Sequence, residues 1–184
     1  TVTYAEKHYG EGEGTGEKIL NPVTQIYLEE DAVFNLDSAQ IGGVDSTVRK
    51  TEVTLAENAK LNVMEKLMTH DKQTAVSDMT VELNGAGSTA RIISRSVAKG
   101  TSVQTFHPIA VGNALCHAHV QCDSIIMDQA QISSIPEINA RNIDAQIIHE
   151  AAIGRINNDQ ILKLRTFGLT EEEAEAVIIE DFLA

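Results

Sequence analysis

The chain has 184 residues, with 27 acidic against 14 basic side chains, a formal charge of −13 at pH 7 and a pI of about 4.8. Hydrophobic residues make up 42% and charged residues 22%, enough apolar content to offset chain entropy, which excludes global disorder. The acid excess argues against nucleic acid or an anionic membrane as partner, and no run reaches the roughly 18 apolar residues of a membrane span; even 145–156 is broken by His149, Glu150 and Arg155.

Two cysteines, Cys116 and Cys122, are too few for a disulfide framework, so reduced thiols and a cytoplasmic setting are expected. The chain opens at Thr1 with no secretory leader pattern, which leaves open a processed product or a fragment. With no Trp, three Tyr and four Phe the core must be aliphatic, and aromatic platforms for sugars or bases are scarce.

In chain order, residues 1–20 read as a flexible lead-in: Gly10, Gly12, Gly14 and Gly16 alternate among glutamates, without the strand before and helix after that a dinucleotide fingerprint needs. Residues 21–156 carry a recurring small-residue turn followed by an alternating segment. The small anchors at 32, 59, 87, 101, 130 and 145 are spaced by one or two units of about fourteen residues, the mark of a solenoid. Between them Thr51–Leu55, Thr80–Leu83 and Ser102–Phe106 alternate with period two, which predicts strands. Few hairpin dipeptides occur, so the predicted fold class is all-β, a parallel β-helix whose strands follow one another around a coil. An antiparallel sandwich is the competing arrangement, and a hexapeptide β-helix lacks its strict six-residue repeat.

At Asn157 the period becomes helical, and residues 157–184 read as a helical hairpin. Asn157 with Gln160, and Thr170 with Glu173, are N-terminal capping patterns; Gly168 stands where a helix-ending glycine belongs. The hairpin either covers the last coil's exposed edge or docks a partner.

Two constellations carry candidate chemistry. Cys116, His117, His119 and Cys122 crowd into seven positions, but on an extended strand the cysteines face one way and the histidines the other, so one ion cannot gather all four. Read from alternation alone, Cys122 is a buried, inert thiol. His149-Glu150 follows the apolar Ile147-Ile148; it is either a functional pair or a junction whose glutamate meets Arg155 or Arg141. Arg141-Asn142 is expected to close a turn, with Asn suited to left-handed backbone. No serine nucleophile, P-loop or glycosidase carboxylate pair is recognisable.

Gln121-Cys122-Asp123, Pro136, Arg141-Asn142, Ala145, His149-Glu150-Ala151 and Gly154-Arg155-Ile156, continued by Gln160, Leu164, Gly168-Leu169, Glu173-Ala174 and Phe182, resemble the SufB/SufD family of iron–sulfur cluster assembly scaffolds. The likeness is specific over about residues 117–183. It implies a right-handed parallel β-helix with a C-terminal helical region, a SufB–SufD or homodimeric core, and docking of the ABC-type ATPase SufC, which alone would bind ATP. The resemblance further implies a transient iron–sulfur cluster as cargo, no catalysis by the chain itself, and roles for Cys122 and Glu150 (SufB-like) and His149 (SufD-like). A thiolate is a soft ligand and sulfur acceptor, and imidazole and carboxylate complete an iron site that must later let go. With that implication Cys122 is expected as the principal thiolate, supported by His149 and Glu150, and the helices as the SufC-docking surface; a purely structural subunit without ligands of its own is the alternative. Typical members are longer, with an N-terminal helical region not included here, and Phe167 replaces a frequent basic residue before Gly168.

Overall fold

The computed structural model describes residues 1–11 and 15–184. Among these described residues thirteen strands are followed by two helices: β1 (Val2–Tyr9), β2 (Ile19–Leu20), β3 (Val23–Leu28), β4 (Val33–Gly42), β5 (Ser46–Leu55), β6 (Lys60–Thr69), β7 (Thr74–Leu83), β8 (Ser88–Ala98), β9 (Val103–Gly112), β10 (Cys116–Ile126), β11 (Gln131–Ser134), β12 (Glu137–Ala140), β13 (Gln146–Gly154), α1 (Asn158–Thr166) and α2 (Glu171–Leu183). Strands alternate between two sheets. One runs β1-β4-β6-β8-β10-β13; the other runs β11-β9-β7-β5-β2, with β12 beside β9 and β3 beside β5. Every pairing is parallel, as in β4–β6 and β5–β7, so the chain coils as a β-solenoid instead of folding back in hairpins.

The coil length follows from the strands and corners. Leu36, Val63, Ile92, Val120 and His149 stack in register at intervals of 27, 29, 28 and 29 residues, so the fourteen-residue unit of the sequence is half a coil. Both corners turn on left-handed backbone: Asp31, Asn58 and Gly87 before β4, β6 and β8, and Asp71, Gly100 and Asp128 before β7, β9 and β11, all have φ between 52° and 73°. These are the residue types that accept that conformation at least cost. The corners also bond coil to coil, with Asp31 N donating to Glu57 O and Asn58 N to Ala86 O.

Residues 1–20, read as a flexible lead-in, instead contribute β1, paired along its length with β4, and β2, paired with β5. The physical reason lies in alternation: Tyr4, Glu6 and His8 fall on one side of β1, and the Ser38 hydroxyl donates to Glu6 Oε1 at 2.8 Å. Gly12 and Gly14, part of the same expectation, lie outside the described residues.

The lumen has two sides. Aliphatic ladders such as Phe34-Leu61-Ala90-Ala118-Ile147 and Leu36-Val63-Ile92-Val120 fill one. Two residues further along the same strands the ladder reads Glu6-Ser38-Glu65-Ser94-Cys122-Ala151. Here Arg49 Nη2, from the facing sheet, lies 3.1 Å from Glu65 Oε1 and donates to Ser38 Oγ at 2.7 Å.

The Asn157 side chain caps α1 by accepting from Asp159 N, and Thr170 and Glu173 form a reciprocal capping box on α2. Gly168, with φ of 97°, ends α1. The hairpin does not cover the last coil's edge. α2 lies on the outer face of the first sheet, where Ile179, Phe182 and Leu183 pack with Met68, Val97, Ile125 and Met127. Lys66 Nζ and Arg95 Nη1 donate to the carbonyl oxygens of Ala184 and Phe182 at 2.6 and 3.2 Å, at the end where the helix dipole is negative. The outer edge of β13 is left unpaired among the described residues. Arg141-Asn142 does open a turn, but Asn142 works through its side chain, which accepts from Asp144 N at 2.9 Å, and its φ is not positive.

Candidate functional site

β10 is continuous from Cys116 to Ile126, and its burial alternates strictly over Cys116–Ser124. Cys116, Ala118, Val120 and Cys122 therefore point inward, while His117, His119 and Gln121 point outward, so no ion is shared across the Cys/His cluster. Both cysteines are free and buried.

Cys122 and His149 are one coil apart. β13 places His149 beside Val120 and Ala151 beside Cys122, so the imidazole stands inward on the adjacent row, and Cys122 Sγ is 3.1 Å from His149 Nε2. Glu150 is not part of this contact. It pairs in register with Gln121 on the outer face, where its Oε2 lies 3.3 Å from His119 Nε2, within ion-pair range but outside hydrogen-bond geometry. The expectation brings Cys122, His149 and Glu150 into range either inside one subunit or between two; within this chain Cys122 and His149 meet, while Glu150 does not join them, because successive residues of a strand face opposite sides and the sheet separates the carboxylate from the sulfur.

Burial pushes the Cys122 thiol up to about 11; the nearby Ser134 hydroxyl pulls the other way, and Glu65 and Asp123 add to the rise. Burial, then the nearby His119, lowers His149 below the usual imidazole value. Both groups are neutral at pH 7, and the thiol becomes a good sulfur ligand only when an incoming metal displaces its proton. Among the described residues no group of three or more His, Cys, Asp or Glu side chains is placed to hold a metal ion. The chain brings together one sulfur and one imidazole, fewer than the four ligands an iron–sulfur cluster usually takes.

Sequence reasoning missed His119 as the partner of Glu150, and the Arg49–Glu65 pair on the row of Cys122. Glu65 had a signal: it occupies an inward position in the alternation Leu61, Val63, Glu65, Leu67, where an acid needs a buried partner.

The architecture is a parallel β-solenoid with a helical hairpin beside it. Residues 2–182 match the family described as SUF system FeS cluster assembly, SufBD core domain, and the chain belongs to that family. It is similar to an iron–sulfur cluster assembly SufBD family protein of Pyrococcus horikoshii, with 31% identity over 99% of this chain and 55% of that protein. A Methanocaldococcus jannaschii relative of the same description is 27% identical over 98% of this chain and 57% of its own length. A third, from Methanothermobacter thermautotrophicus, is 29% identical over 90% of this chain and 41% of its own length. The chain spans about half the length of these relatives. No described helix is long and apolar enough to cross a membrane.

Proposed function

We propose that the chain is a scaffold subunit of the SUF system that holds a nascent iron–sulfur cluster as cargo at its last coil, with Cys122 as the thiolate and His149 beside it. The observation that carries this reading is the 3.1 Å approach of Cys122 Sγ to His149 Nε2 across one coil. Since one protomer brings only two such groups together, the remaining ligands come from a second subunit, a homodimer or a SufB/SufD-like heterodimer. The edge of β13, unpaired among the described residues, supports that arrangement, with Ile143, Ile148 and Ile153 exposed on and beside it. Glu150, on the outer face, supports the site from outside through His119 or faces the second subunit.

The helical hairpin docks the SufC ATPase, whose ATP hydrolysis drives the cycle while this chain is itself no enzyme. The support is apolar exposure: α1 buries none of its residues, and Leu162, Phe167 and Val177 are exposed. Unpaired thiols suit a reducing, cytoplasmic setting. Anaerobic reconstitution with iron and sulfide, with and without SufC, tests the reading. Wild type is expected to load a cluster and Cys122→Ser to load little; equal loading removes the ligand assignment.

The burial of Cys122, only 3% exposed, favours a second reading, a structural subunit whose own thiol stays inert. Wild-type cluster assembly in cells carrying Cys122→Ala supports that one.

A further inference from the structure

The corner between β7 and β8 carries the one Asn-Gly pair of the sequence, Asn84-Gly85. Ordinary amide chemistry makes such a pair reactive. The glycine backbone nitrogen, once water or hydroxide has taken its proton, attacks Asn84 Cγ; the new N–Cγ bond closes a five-membered succinimide, the Cγ–Nδ2 bond breaks, and ammonia leaves. Water then opens the ring at either carbonyl, giving aspartate or isoaspartate. In isoaspartate the main chain runs through Cβ and is one atom longer. A glycine in second place favours the attack because no side chain shields its nitrogen.

The fold allows nothing larger at 85. A Cβ there would lie 2.0 Å from Glu57 N and 2.1 Å from the Ala56 carbonyl carbon, so the preceding coil demands glycine. Asn84 itself is exposed, so water and base reach it. What closes the site is the hydrogen bonding of the corner. Asn84 N and Gly85 N both donate to Leu55 O, at 3.0 and 3.1 Å. Two successive N–H groups reach one oxygen only with Gly85 N turned toward Asn84 N, whereas ring closure needs it turned toward Cβ, a different substituent of the same Cα. The attacking nitrogen is thus occupied as a donor and aimed away from its target. The target is held as well, since Asn113 Nδ2, one coil on, donates to Asn84 Oδ1 at 2.6 Å.

The same corner has no slack for the longer product. Asn58 N donates to Ala86 O at 2.9 Å and Gly87 N to Leu115 O at 2.8 Å, tying the turn to the coils on both sides. Gly87 makes the turn itself, with φ of 73°. One added main-chain atom at 84 moves these groups off their partners, as an insertion in a ladder does.

We propose that Asn84-Gly85 is a deamidation site kept closed by this corner: it converts when the bonds to Leu55 O open, and its isoaspartyl product no longer fits the coil. The site stands whether or not Cys122 binds a cluster.

The test incubates the full chain in mildly alkaline buffer, folded and in guanidinium chloride, and follows the peptide holding residues 84 and 85 by mass spectrometry. Labelling with isoaspartyl methyltransferase separates isoaspartate from aspartate. Conversion in the folded chain is expected to be at least about tenfold slower than in denaturant and to track hydrogen exchange of the Gly85 amide, since both wait on the same local opening. Equal rates, or no conversion in denaturant, overturn the proposal. After refolding, the isoaspartyl chain is expected to melt at a lower temperature than the Asn84→Asp variant, which has the same charge and an unlengthened main chain; equal melting overturns the proposal. Should Asn84→Asp fail to fold, the rate comparison on the unaltered chain decides alone.

Discussion

Along one side of the lumen Leu36, Val63, Ile92 and Val120 stack coil upon coil; two residues further along the same strands the ladder becomes Ser38, Glu65, Ser94 and Cys122. The first side is held by volume and dispersion, which any well-fitting aliphatic set provides. The second is held by specific partners: Arg49 for Glu65, Ser77 for the same carboxylate, Ser124 for Ser96 and His149 for Cys122. The sulfur thus sits in a row that already carries polar side chains, and changing it need not empty the core.

Four measurements probe that contrast. The largest effect is expected for Glu65→Leu, which leaves Arg49 buried without its counter-charge and lowers the unfolding free energy by about 3–5 kcal/mol. The double variant with Arg49→Met should recover most of this in denaturant titration; no recovery would show that the polar side is not organised around the ion pair. On the aliphatic side Leu83→Ala, truncating a side chain that is 0% exposed, is expected to cost about 2–5 kcal/mol, with no second substitution on the polar side able to restore it.

Third comes pH. The folded Cys122 pKa, raised to about 11, lies above the ordinary 9.0, so in that window the folded chain holds a proton that the unfolded chain has released. Stability is therefore full below about pH 9 and is lost as pH rises toward 11, by on the order of 2 kcal/mol. Unfolding curves of wild type and Cys122→Ser should diverge across this range; parallel curves contradict the burial assigned to the thiol. His149 acts on the acid side. Its folded pKa is lowered, so the unfolded state takes up the proton first, and stability declines as pH falls below about 6.5.

The smallest effect is expected for Ser96→Ala. It leaves Ser124 without its 2.8 Å partner and costs about 1 kcal/mol, whereas Ser96→Ala with Ser124→Ala together should be nearly neutral.

Much of this was legible beforehand, for reasons that particular residues make plain. The period-two runs at 51–55, 80–83 and 102–106 depend on local alternation and became β5, β7 and β9. The capping box at Thr170 and Glu173 is local too, and it formed. The first strand was missed because the glycines after Tyr9 outweighed the alternation of Tyr4, Glu6 and His8. The Cys122–His149 contact was implicit, since the two are 27 residues apart and a coil is 27–29. That Glu150 does not share the inner face with His149 was legible too, since alternation, applied at 116–122, separates neighbours wherever a strand continues. The seating of α2 against Met68 and Val97 joins residues more than eighty positions apart, and no local pattern encodes it.

The constant interval between stacked residues has a consequence for length change. Removing or adding a single residue within a strand exchanges inward and outward side chains up to the next corner, setting Glu or Lys into the aliphatic rows. Gaining or losing a complete turn of about 28 residues keeps every row aligned and alters only the height of the stack. Chains of this architecture are therefore free to grow or shrink by whole storeys, with the thiol and imidazole keeping their mutual seat on the top two.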